Sequence, residues 1–266
     1  MKHIQLSKTY SKYRLRMRLQ KRRIILSFKY VFRDRVARVF AKIVLAASLL
    51  IVSICIVLPL YNASIKYNWI DAQQFTQYDH LIDFRSEVSL VSYCLYFMEI
   101  CTTTFFFLAF VLTRKRFYIF FTALYLMVFL DDYFQIHEKF GKLLSENLDL
   151  INIFSLRKQD TGELITWFIM ACILLPLAIK SFRKLIVFDR FYCLAVAVSF
   201  AILLVCGLGI DMVSILASGT GIMKYAIGIV EDGGEMIAIA LTLALAFSGF
   251  KRSCDSKLFF KNQSNN

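Results

Sequence analysis

Residues 43–61 read IVLAASLLIVSICIVLPLY, nineteen residues with no charge among them. A hydrocarbon core about 30 Å thick needs roughly 20 apolar helical residues to cross it, so this stretch predicts a membrane span. Working outward, five further segments share its character: 88–112, 117–137, 164–179, 191–211 and 223–250. The fourth is short and contains Pro176, which predicts a tilt or a kink. Trp69, Trp167 and Tyr192 fall near span ends, as interfacial aromatic belts require. The expected fold is all-α, a polytopic membrane protein. Its organisation is a basic amphipathic arm (1–42), a bundle of six transmembrane helices (43–250) and a polar tail (251–266).

Composition agrees with that fold. The 266 residues are 58% hydrophobic, 15% aromatic and only 19% charged, with a mean hydropathy of +0.60. Ordinary soluble domains are about half apolar and about a quarter charged, so this chain has too little polar surface to coat itself. With 2 Pro and 10 Gly it is neither collagen-like nor a turn-rich all-β chain. The seven cysteines (Cys55, Cys94, Cys101, Cys172, Cys193, Cys206 and Cys254) are odd in number, scattered and without a C-x-x-C pair. They read as small core residues, not as disulfides or metal ligands.

The net charge of +13 is concentrated in the first 42 residues, which hold 14 Lys and Arg against one acid, Asp34. Apolar residues such as Ile24, Ile25, Leu26, Phe28 and Phe32 lie between those charges. That mixture predicts an interfacial segment whose Lys and Arg meet membrane lipids with anionic headgroups, not nucleic acid. The charged region is too long for a cleavable signal peptide. About 25 basic residues fall on the side of the two termini and about 7 on the other. The positive-inside rule then places both termini in the cytoplasm, with a bacterial inner membrane as the expected location. The long connections 62–87 and 138–163 face outward, and His80 in the first of them reads as a solvated loop residue.

Acids within or at the ends of the spans carry the functional information. They are Glu99, Asp131, Asp132, Glu138, Asp211, Glu231, Asp232 and Glu235, joined by His137. An ionisable group inside a bilayer costs at least a few kcal/mol (about 2.5–3.5 on insertion scales) and needs a reason to be there. No Lys or Arg lies deep in any span, so the carboxylates must be protonated, hydrated or bound to cations. At 1.5 Å per residue, Asp131 and Glu231 each lie about 10 Å below the outer boundary. Acids from four helices thus share a depth. On a continuous helix Asp131, Gln135 and Glu138 form one stripe while His137 points about 120° away. That predicts His137 either as an end cap or as a residue of a locally unwound turn. Glu231, Asp232 and Glu235 converge at i, i+3 and i+4, and Gly228, Gly233 and Gly234 leave room for a neighbouring helix.

The pattern Asp131-Asp132-x4-His137-Glu138 resembles one found in small multi-pass bacterial membrane proteins of unassigned function. Glu231-Asp232-x2-Glu235 is similar to its companion in a later span, and Gly209-Ile210-Asp211 resembles the Gly-x-acid step between them. Positions 132 and 232 hold Asp where that pattern has Glu. A more distant likeness, at the level of fold, is to the ceramidase and hormone-receptor superfamily of intramembrane metal hydrolases. There an Asp/His span faces a His-x3-His span around zinc. Here Glu231-x3-Glu235 replaces the two histidines, and six spans replace seven.

Three functions fit these residues. A metal-dependent hydrolase or transferase acting on a lipid or lipid-linked substrate would use Asp131, Asp132, Asp211, Glu231, Asp232 and Glu235 as ligands. Glu138 or His137 would then act as general acid/base. Hard oxygen ligands favour Mg²⁺, Mn²⁺ or Ca²⁺ over Zn²⁺. A proton- or cation-translocating transporter or channel would use the same acids as a relay, with Glu99 extending the cluster inward. A structural or accessory subunit would keep the acids as polar glue, Glu99 bonding Thr102, Thr103 or Thr104 beside it. G-x-x-x-x-G-K-[ST], G-x-S-x-G and H-E-x-x-H are all absent. Gln135 stands where a prenyltransferase D-D-x-x-D would need its third Asp.

Overall fold

A computed structural model of the chain describes residues 31–66, 89–148, 157–183, 185–210, 212 and 221–264. These form seven α-helices, with no strand among the described residues: α1 (Arg35–Lys66), α2 (Leu90–Thr113), α3 (Arg116–Phe134), α4 (Ile136–Asn147), α5 (Lys158–Phe182), α6 (Val187–Leu204) and α7 (Gly221–Ser264). A π-helical segment, Val205–Ile210, continues α6. All except α4 contain a stretch long and apolar enough to cross a membrane. The chain is an all-α, multi-pass integral membrane protein.

Local chemistry sets the helix ends. Asp34 Oδ1 accepts from the Ala37 amide at 2.9 Å and starts α1. Ser89 caps α2, its hydroxyl accepting from the Ser92 amide at 3.1 Å. Arg114 ends α2 in the left-handed conformation (φ 56°), returning its N–H to Phe110 O at 2.7 Å. Gln135 (φ 54°, ψ 46°) does the same for α3 and at once begins α4. Asp131 competes with the helical ladder at this point, its Oδ1 accepting from the His137 amide at 2.8 Å.

Several expected boundaries move. The third span stops at Phe134, three residues short of His137, because Gln135 breaks the helix. The fourth is not short: α5 has 25 residues, with Pro176 inside. It starts at Lys158 because the Arg157 amide and guanidinium both bond Asp160, at 2.9 and 2.8 Å. The first span begins at Arg35, inside the segment assigned to the basic arm, and 251–264 continue α7. Residues 1–30 of the arm, the connection 67–88 with His80, and Asp211 lie outside the described residues.

α7 is the axis of the bundle, packing on α1, α2, α6 and the π segment. Its spanning window is 67% buried, against 22% for α1 and for α5. On α1, Val36, Ile43, Leu50 and Val57 recur every seven residues and are all half exposed or more, forming a ridge suited to lipid. Midway through the bundle the Tyr125 hydroxyl meets Thr242 Oγ1 at 3.1 Å, and Thr242 meets Ser199 Oγ at 2.8 Å. This ties α3, α7 and α6 together with satisfied polar groups. Below it Phe106, Phe117, Tyr118, Phe121 and Tyr192 interlock, with ring centroids 4.2–6.5 Å apart. The start of the described chain packs against α7, where Ser248 Oγ donates to Val31 O at 2.7 Å. Among the described residues no disulfide joins any of the seven cysteines.

Candidate functional site

The opposite end of the bundle opens into a cavity of about 530 Å³. Six carboxylates line it: Asp132 from α3, Glu138 from α4, Glu163 from α5, and Glu231, Asp232 and Glu235 from α7. His137 and Arg157 are the basic groups on its wall, alongside Gln135, Gln159, Tyr96 and Trp167. Acids that are distant in sequence therefore surround one space, as their shared depth predicts. Asp211 lies outside the described residues, although Gly207, Leu208 and Met212 beside it reach the cavity wall.

The break at Gln135 decides the orientation of His137. On an uninterrupted helix it would face away from Asp131; the left-handed turn carries it back. Its backbone N–H donates to Asp131 Oδ1 at 2.8 Å, and its ring Nδ1 lies 2.8 Å from Asp131 Oδ2. One carboxylate thus caps the first turn of α4 and holds the imidazole. Asp131 is fully buried and does not line the cavity. Expected as a metal ligand, it engages both oxygens with His137, and its place is behind that residue. With Nδ1 held, Nε2 is the ring nitrogen that Asp131 does not engage, and the Trp167 ring lies 5.7 Å from the imidazole, centre to centre.

Burial alone would lower the His137 pKa, but the hydrogen bond and charge of Asp131, followed by Glu138 and Asp132, outweigh it and raise the pKa above its ordinary 6.5. Asp131, Glu138 and Asp132 thus all favour the charged form of the ring over what burial alone would allow.

Close backbone approaches shape the walls. A Cβ at Gly207 would meet the end of the Glu235 side chain, so a larger residue there would push that carboxylate aside. π-Helical turns are frequent at functional sites. Gly141 and Gly162 lie backbone to backbone where α4 crosses α5, fixing Glu163 next to α4. Of the glycines expected to admit a neighbouring helix, Gly233 faces Val52 of α1 and Gly234 faces Cys206, while Gly228 opens onto the cavity.

Among the described residues, no three His, Cys, Asp or Glu side chains converge as direct ligands of one metal ion. The acids ring a space and do not meet at a point. Sequence reasoning missed the wall supplied by α5, namely Arg157, Gln159, Glu163 and Trp167. The segment 157–163 reads as loop because it is polar. Its helical signal is the Arg157–Asp160 start together with Gly162, a small residue placed for a helix crossing.

A family model described as "Domain of unknown function (DUF8692)" matches residues 37–248, which reaches into all six spans and takes in every described residue of the cavity wall. The chain belongs to the DUF8692 family. No curated protein and no solved structure matches it. The family match thus encloses the Asp131–His137 pair and the acids of α7 within one domain.

Proposed function

We propose that this protein is a membrane enzyme, a hydrolase or transferase, acting on a lipid or lipid-linked substrate at the membrane face opposite its termini. The observation that carries this is the Asp131–His137 pair at the wall of an acidic cavity. A buried carboxylate that fixes the imidazole tautomer and stabilises its protonated form is the arrangement by which His moves protons during catalysis. His137 accepts a proton from the attacking water or hydroxyl through Nε2 and returns it to the leaving group. Asp131 is its positioning residue.

Glu231, Asp232 and Glu235 on one wall and Asp132 and Glu138 on the others hold the cationic part of the substrate complex. Hard oxygens of this kind suit Mg²⁺, Mn²⁺ or Ca²⁺. Mg²⁺ keeps several of its waters, so carboxylates spread around a cavity would hold it and it would supply positive charge there. Such an ion would neutralise a lipid phosphate. Arg157 at the rim is placed to meet the same group.

The excess of basic residues on the side of the termini supports a cytoplasmic location for them in a bacterial inner membrane, with the cavity facing outward. Anionic headgroups are the partners of the basic arm.

The test uses purified full-length protein with a panel of lipids and lipid phosphates, measuring headgroup or phosphate release with and without added Mg²⁺, Mn²⁺ and Ca²⁺. Release by wild type, lost in His137→Ala and Glu235→Gln with folding intact, supports the proposal. Equal release by His137→Ala removes the acid–base role.

A further inference from the structure

One face of α2 carries four buried polar atoms that make no hydrogen bond among the described residues: both carboxylate oxygens of Glu99 and the hydroxyls of Thr102 and Thr103. Positions three and four beyond Glu99 lie over the same helix face, so the four oxygens share one neighbourhood. Glu99 is 1% exposed and Thr102 not at all. Threonine in a helix ordinarily returns its hydroxyl to the carbonyl four residues back. Thr104, Thr113 and Thr122 do so at 2.8, 2.8 and 2.9 Å, but Thr102 and Thr103 do not.

The charged groups that act on Glu99 are Asp132 and Asp131 from α3 and Glu235 from α7, all of them acids, and the Asp132 carboxyl stands near enough to share a proton with Glu99. A carboxylate withdrawn from water and surrounded by its own sign is heavily penalised. A buried water would satisfy some of these oxygens but would bring no positive charge. A proton shared between the Glu99 and Asp132 carboxyls would join those two groups but leave the hydroxyls of Thr102 and Thr103 as they are. A small hard cation attracts all four oxygens at once, since carboxylate and hydroxyl oxygens are the donors such ions prefer.

We propose that Glu99, Thr102 and Thr103 form an inner binding site for a small alkali cation, Na⁺ or Li⁺, with Asp132 and Glu235 completing its outer edge. None of the three α2 residues lines the outer cavity, so the site is a second one, deeper in the bundle. It does not depend on the acid–base chemistry of His137. Asp132 and Glu235 belong to the cavity wall and also act on Glu99, which connects the two sites.

The experiment follows the unfolding midpoint of the full-length protein in detergent while choline chloride is replaced by NaCl, LiCl or KCl at constant ionic strength and pH. A ligand that binds only the folded state raises the midpoint with its concentration. Na⁺ and Li⁺ should produce a saturable rise exceeding that of K⁺. Glu99→Gln should abolish it, and Thr103→Val should weaken the apparent Na⁺ affinity by about tenfold or more. A wild-type midpoint indifferent to the cation overturns the proposal. So does an undiminished Na⁺ response in Glu99→Gln, or a midpoint that follows pH through Glu99 and ignores Na⁺, which would make the ligand a proton. If Glu99→Gln does not fold, Thr103→Val decides, and an unchanged Na⁺ affinity there overturns the site.

Discussion

The two ends of this bundle are built on opposite rules. At the end away from the cavity, interlocked rings of Phe106, Phe117, Tyr118, Phe121 and Tyr192 fill the space, and the buried Tyr192 hydroxyl bonds Leu245 O at 2.9 Å. At the other end the helices part around about 530 Å³, one helix is broken at Gln135, and another loosens into a π turn at Val205–Ile210. Six carboxylates stand there with few basic groups. The difference teaches that stability and chemistry are separated along the membrane normal. The packed end holds the helices in register, and the open end concentrates groups that a core would reject.

That separation can be broken from either side. The largest effect belongs to the packed end: Phe106→Ala removes a fully buried ring and should lower stability by about 3–5 kcal/mol, read as a drop in unfolding midpoint in detergent. A mild change there would mean that the aromatic cluster is not the anchor. Asp131→Ala comes next. It takes away the cap of α4 and the partner of His137 together, which should cost about 1.5–3 kcal/mol and abolish activity, whereas His137→Ala should abolish activity at less than half that loss of stability. Matching losses in the two variants would deny Asp131 its second role.

Gly207→Ala places a methyl group against the Glu235 carboxylate and should cost only about 1 kcal/mol. It should nevertheless weaken Mg²⁺ or Mn²⁺ binding, measured by titration calorimetry, more than Gly228→Ala, which meets nothing within 4 Å. Equal binding by the two variants would show that the walls move freely. The smallest effect is a pH slope. Because the folded pKa of His137 is raised, its stabilisation is fully present below about 6.5, the ordinary value. It is lost as the pH rises through the folded value. Wild type should therefore lose a little stability from pH 6.5 upward, and Asp131→Asn should flatten that slope. A slope unchanged in Asp131→Asn would assign it to another group.

The number and place of the spans were legible because hydropathy over about 20 residues is a long-range signal that no single side chain can overturn. The grouping of Asp132, Glu138, Glu231, Asp232 and Glu235 around one space was legible from depth alone, since equal counts along spans imply equal heights. The relation of His137 to Asp131 was not. Helical phase is a precise guide only while the helix continues, and one left-handed residue at Gln135 rotates everything after it. The polar start of α5 was hidden for a different reason. Gln159 and Glu163 read as loop because their burial depends on α4, a helix that composition alone does not mark. A convergent ligand set was the least legible feature, because sequence spacing gives the face of a helix but not the distance across a cavity.

The double duty of Asp131 also provides a reporter that needs no substrate. The amide of residue 137 exchanges its hydrogen with solvent only when the carboxylate lets go of it, so its protection against deuterium measures how often the first turn of α4 opens. If occupancy of the cavity draws the imidazole forward, that single amide should exchange faster or slower before any product forms. The geometry of the break at Gln135 thus makes binding visible in the isotope exchange of one backbone site.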